Sequence, residues 1–132
     1  MRRPLLIVTG VLEAATGAGL LIAPRLAALL LLGAALNESG ATLVARICGA
    51  ALIVVGFACW SSRDDPQSSP AGGLIYAMLF YNVIVATLLV YGWIGLGLRG
   101  MGLWPVVLAH CALAIWTLAC VVRMARPDGT PH

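Results

Sequence analysis

Over residues 5–23 the sequence stays apolar, save for one acid, for long enough to cross a bilayer, and runs at about 41–60, 73–94 and 103–122 do the same. One spanning helix takes about 20 apolar residues. Inside lipid the backbone has to satisfy its own hydrogen bonds, so a run of that length has one open-chain solution, the α-helix. Four such runs with short connections predict an all-α fold, an integral membrane four-helix bundle forming a single transmembrane domain over residues 1–132. Hydrophobic residues at 61%, charged residues at 10% and a mean hydropathy of +1.00 exclude an ordinary soluble domain.

The first span covers about 4–23, with Pro4 suited to a helix start and Pro24 to its end. Arg2 and Arg3 ahead of an apolar run imitate a signal peptide, but Glu13 interrupts the core and apolar character resumes past Pro24. An uncleaved first helix is therefore expected. Residues 26–36 are apolar yet too short to span, which predicts an interfacial or re-entrant helix. A break at 37–40 follows, with Ser39 placed to cap the second span. Residues 61–70 form a polar loop, the glycine-rich 95–102 turns the chain back, and 123–132 is a polar tail.

All eight basic residues are arginines, and most lie at segment ends. Arg2, Arg3, Arg63, Arg123 and Arg126 fall on one side, Arg25 and Arg99 on the other. The positive-inside rule then puts both termini in the cytoplasm. The net charge of +3 reports topology and gives no reason to expect nucleic acid. Trp60, Trp93 and Trp104 sit where interfacial anchors do, with Trp116 deeper. Cys48, Cys59, Cys111 and Cys120 all lie in apolar runs without a close-spaced metal pattern and read as small buried hydrophobes.

Each span carries one strongly polar side chain: Glu13, Arg46, Asn82 and His110. A charge at mid-bilayer costs roughly 2.5–3.5 kcal/mol on insertion scales, so each should face protein or a wet cavity. A rise of about 1.5 Å per residue puts all four between the midplane and the outer leaflet. Glu13 with Arg46 is the most economical pair, and Thr9, Thr16, Tyr81 and Thr87 are placed to complete the hydrogen bonding. If Arg46 turns to the interface instead, Glu13 becomes a proton-binding site. Glu13, Arg46, Tyr81, Asn82 and His110 are thus the candidates for ligand or proton binding. Gly10, Ala14 and Ala18, facing Ala45 and Gly49, would let the first two spans approach closely.

No haem-attachment, zinc-protease, phosphate-loop or hydrolase motif is present, so no catalytic residue and no metal site is expected. One intramembrane histidine supplies a single haem ligand unless a dimer adds the second. Asn37-Glu38-Ser39 fits a glycosylation sequon.

The order of Gly10, Gly17 and Gly19, then Pro24, a half-segment ending at Gly33, then Ala45-Arg46 with Gly49 and Gly56, resembles the DoxX-like small bacterial four-helix membrane proteins. That resemblance covers most of the first 60 residues. It implies an inner-membrane bundle, with some relatives linked to quinone-dependent sulfur oxidation or redox-stress complexes. Leu12-Glu13-Ala14 also resembles the first span of the small multidrug resistance exporters, although Arg46 and the half-segment depart from their pattern.

The leading expectation is an accessory subunit or small-ligand binder near a redox system. Its ligand would be quinone or lipid-like, and its partners are membrane lipids and a larger redox complex or a homodimer. The alternatives are a proton-coupled exporter acting as a dimer and a purely structural or assembly protein.

Overall fold

The protein's structure, a computed structural model, describes residues 1–125. It is all-α: α1 (Arg2–Ile22), α2 (Pro24–Leu32), α3 (Ser39–Ser61), α4 (Ser69–Gly95) and α5 (Leu103–Ala125). All but α2 are long and apolar enough to cross a membrane. Arg126 and most of the polar tail lie outside the described residues.

Boundaries follow local chemistry. Pro24 does not merely stop α1; it occupies the first turn of α2, where a missing N–H leaves no bond unmade. Only Ala23 separates the two helices. Ser39 is already helical in α3 and Glu38 takes the capping position without a side-chain cap bond, contrary to the expectation for Ser39. In α4 the Ser68 hydroxyl accepts from Ala71 N at 3.4 Å, and Pro70 fits the first turn. That helix therefore begins inside the segment the sequence reading gives to the loop.

Packing divides the bundle into two tight pairs, α1 with α3 and α4 with α5, joined by thinner contacts. The α1–α3 seam is built on glycine. Gly10 faces Gly56 and Gly17 faces Gly49, two turns apart on both helices. A Cβ on Gly17 would lie 2.5 Å from the Gly49 carbonyl, and one on Gly56 would lie 2.8 Å from the Gly10 carbonyl. The small-residue contact expected from sequence is present, but its period is seven rather than four, with Ala14 against Gly56 as the intermediate step. Leu5, Leu6, Cys59, Ile75, Met78, Leu113 and Cys120 form the apolar core where the pairs meet.

Each end of the bundle has its own fastening. At the N-terminal end Arg2 donates to the Pro66 carbonyl and to Gln67, while Arg3 and Arg63 both reach Asp64. At the far end the orphan carbonyls of α2 are taken by the α4–α5 loop: Arg99 N donates to Leu32 O at 3.1 Å and Gly102 N to Leu30 O at 2.9 Å. Gly33 closes α2 with φ 71°, and a side chain at Gly100 would collide with the Leu31 carbonyl. α2 therefore starts at the end of α1 and finishes against the α4–α5 turn, so it runs across the end of the bundle.

Candidate functional site

Glu13 is buried because it shares the inward face of α1 with Leu6, Thr9, Gly10 and Gly17, at the three- and four-residue steps of a helix. The same stepping on α4 turns Ala71, Ile75, Met78 and Asn82 inward, with Tyr81 beside them. On α5 it places His110 between buried Val107 and Leu113. Three helices thus deliver their polar side chains to one level.

There the Tyr81 hydroxyl donates to Glu13 Oε2 at 2.9 Å. This bond links α1 to α4. The Tyr81 ring stands edge-on to the His110 imidazole, with centroids 5.6 Å apart. Asn82 fixes the histidine in turn. Its Nδ2 donates to the Met78 carbonyl at 2.7 Å, which leaves Oδ1 2.8 Å from His110 Nδ1. Because a carbonyl oxygen only accepts, the hydrogen in this contact sits on Nδ1. The neutral ring therefore keeps its lone pair on Nε2.

Glu13, Tyr81 and His110 line a cavity of about 100 Å³ together with Leu12, Thr16, Val106, Ala109 and Leu113. Within it Tyr81 has spent its hydrogen on Glu13, His110 Nε2 bears a lone pair, and Glu13 Oε1 has no partner among the described residues. With Glu13 ionised, the polar wall accepts hydrogen bonds; it has none to give. A hydroxyl or N–H donor matches it, and a carbonyl matches it only once Glu13 carries a proton.

Thr16 and Val106 also belong to a second, apolar cavity of about 240 Å³ roofed by Ala27, Leu30 and Leu31 of α2. The two spaces share these walls. Neither alone reaches the roughly 300–1,000 Å³ of a small-molecule site, whereas the pair reaches its lower bound. Glu13, Tyr81, Asn82 and His110 stand out in the sequence, whereas the apolar chamber does not, because α2's place across the bundle end is a tertiary fact.

Arg46 is elsewhere. It is exposed and lines a cleft with Arg25 at the far end of the bundle, so the expected Glu13–Arg46 pair does not form. The ion pairs among the described residues are Arg3–Asp64 and Arg63–Asp64. Glu13 lies between Gly10 and Gly17, level with the stretch between Gly56 and Gly49 on α3, and Arg46 lies beyond Gly49. Of the threonines held in reserve, Thr87 bonds back to its own helix at Val83. Cys59 and Cys120 are buried as expected, whereas Cys48 and Cys111 are exposed on the helix surface. No group of metal-ligating side chains is found among the described residues.

The fold and site define a small multi-pass helical membrane protein with a buried polar pocket. No family model, curated protein or solved structure matches the chain.

Proposed function

We propose that this protein binds the hydroxyl-bearing head of a lipid-soluble ligand, a quinol or phenolic lipid, in the Glu13–Tyr81–His110 pocket, with the ligand's apolar body beneath α2. One observation carries this reading: three lone-pair-bearing side chains from three helices line a cavity that shares its Thr16 and Val106 walls with an apolar chamber. Two ligand O–H groups, or one shared between them, satisfy Glu13 Oε1 and His110 Nε2. The work of such a protein is that of an accessory subunit beside a quinone-linked redox system of a bacterial inner membrane, the setting that the DoxX-like resemblance also suggests.

Titrating the detergent-solubilised protein with a tailed quinol and reading its thermal stability tests this. The native chain is expected to be stabilised, and Glu13→Gln and His110→Leu to lose most of the effect. Undiminished stabilisation in both variants sinks the proposal and leaves a structural role for the polar cluster.

A second reading has one observation in its favour. Among the described residues no guanidinium stands beside Glu13, so none of them opposes a cation at the carboxylate, as a dimeric proton-coupled exporter requires. Proton release on adding a lipophilic organic cation marks that activity; a silent pH trace removes it.

A further inference from the structure

Arg46 poses a problem that the polar pocket does not solve. It sits seven residues into α3, about 10 Å along the helix from Ser39 at a rise of about 1.5 Å per residue. Its neighbours Leu43, Val44 and Ile47 are all exposed, as lipid-facing residues of a spanning helix are. A cation at that level is costly unless an anion meets it. Glu13 is engaged by Tyr81, and no ion pair to Arg46 or Arg25 exists among the described residues.

Instead both arginines line a single cleft of about 490 Å³ where α1 breaks into α2 beside α3, with Ile22, Ala23, Pro24, Leu26 and Thr42. Two like charges sharing one cleft repel each other, and an anion between them reverses the sign of that interaction. The Thr42 hydroxyl has given its hydrogen to the Glu38 carbonyl, so the donors here are the guanidiniums. Beside these donors Ile22 and Leu26 are exposed apolar surface.

We infer that the Arg25–Arg46 cleft is a binding site for the phosphodiester headgroup of an anionic phospholipid. Guanidinium pairs suit phosphate oxygens through paired N–H donors. A choline head would bring its own cation against the two arginines, so the site discriminates by headgroup charge. The apolar rim and the membrane depth of Arg46 fit a lipid rather than a dissolved phosphate. This site is independent of the Glu13 pocket.

Native mass spectrometry of the purified protein, offered phosphatidylglycerol and phosphatidylcholine with identical acyl chains, tests the assignment. The native chain is expected to retain the glycerol lipid in preference to the choline lipid. Arg25→Gln with Arg46→Gln is expected to lose that preference by about tenfold or more, the scale of a charge-assisted hydrogen bond. Arg46→Lys, which keeps the charge, separates loss of the site from loss of the fold by retaining part of the preference. The paired change Arg2→Gln with Arg3→Gln, at the other end, leaves it intact. An unchanged preference in the Arg25/Arg46 double variant, or none in the native chain, overturns the assignment. Displacement of the lipid by millimolar inorganic phosphate overturns the lipid in favour of a soluble anion.

Discussion

Asn82 shows how one side chain sets the chemistry of another. Its amide is oriented by the Met78 carbonyl, and that orientation decides which nitrogen of His110 carries the lone pair. Asn82→Leu keeps the shape and removes the constraint. Nitrogen-15 spectra of the imidazole are expected to show the Nδ1–H tautomer in the native chain and a mixture in the variant. Stability is expected to fall by about 1–3 kcal/mol, the cost of leaving a buried donor unpaired. Tyr81→Phe acts on the other side of the pocket. It deprives Glu13 of its only donor among the described residues, so thermal stability falls, while a tailed phenol supplying its own O–H restores part of the loss. At this scale much was legible in the sequence, since Glu13, Asn82 and His110 are conspicuous in apolar runs. The Glu13–Arg46 pair was not excluded because depth along a helix is readable from sequence, whereas rotation about its axis depends on which face meets the neighbour. Here the inward face of α1 meets α3 through glycine, and Glu13 reaches past that contact to α4.

The helices themselves owe their placement to close backbone approach. Gly17→Ala puts a methyl 2.5 Å from the Gly49 carbonyl and 2.9 Å from Ile53, so α1 and α3 must separate. Overpacking of this kind costs about 1–3 kcal/mol. Gly19→Ala, two residues on, meets nothing within 4 Å and is expected to be neutral or slightly stabilising, since alanine is the better helix former. Unfolding of the two variants in mixed micelles measures the contrast, and equal stabilities would refute the glycine seam. Residues 26–36 illustrate what the sequence withholds at this scale. Their hydropathy and length identify a short helix, but the bonds from Arg99 N and Gly102 N that fix α2 across the bundle end come from a loop some seventy residues away. Gly100→Ala removes the room for that contact, and faster hydrogen exchange at the Arg99 and Gly102 amides is the expected result.

For the molecule as a whole, the decisive fact is where the pocket sits between the two helix pairs. Glu13 comes from the α1–α3 pair, Tyr81 and His110 from the α4–α5 pair, and direct packing between the pairs is thin beside packing within them. Leu12 and Ala109, both exposed, also line the pocket, so its mouth lies on the lipid-facing side between α1 and α5. On the proposed reading, a ligand would enter there from the bilayer, head first towards Glu13. Lateral entry makes a kinetic prediction that a purely structural cluster does not. Ala109→Trp, at the mouth, is expected to slow association of a tailed quinol severalfold, whereas Ala112→Trp, also exposed on α5 but outside the pocket lining, leaves the rate unchanged. Stopped-flow quenching of intrinsic tryptophan fluorescence, referenced to each variant's own unliganded signal, follows both rates. Equal rates in the two variants would mean that the ligand does not pass between α1 and α5, and the thin seam would then serve assembly rather than access.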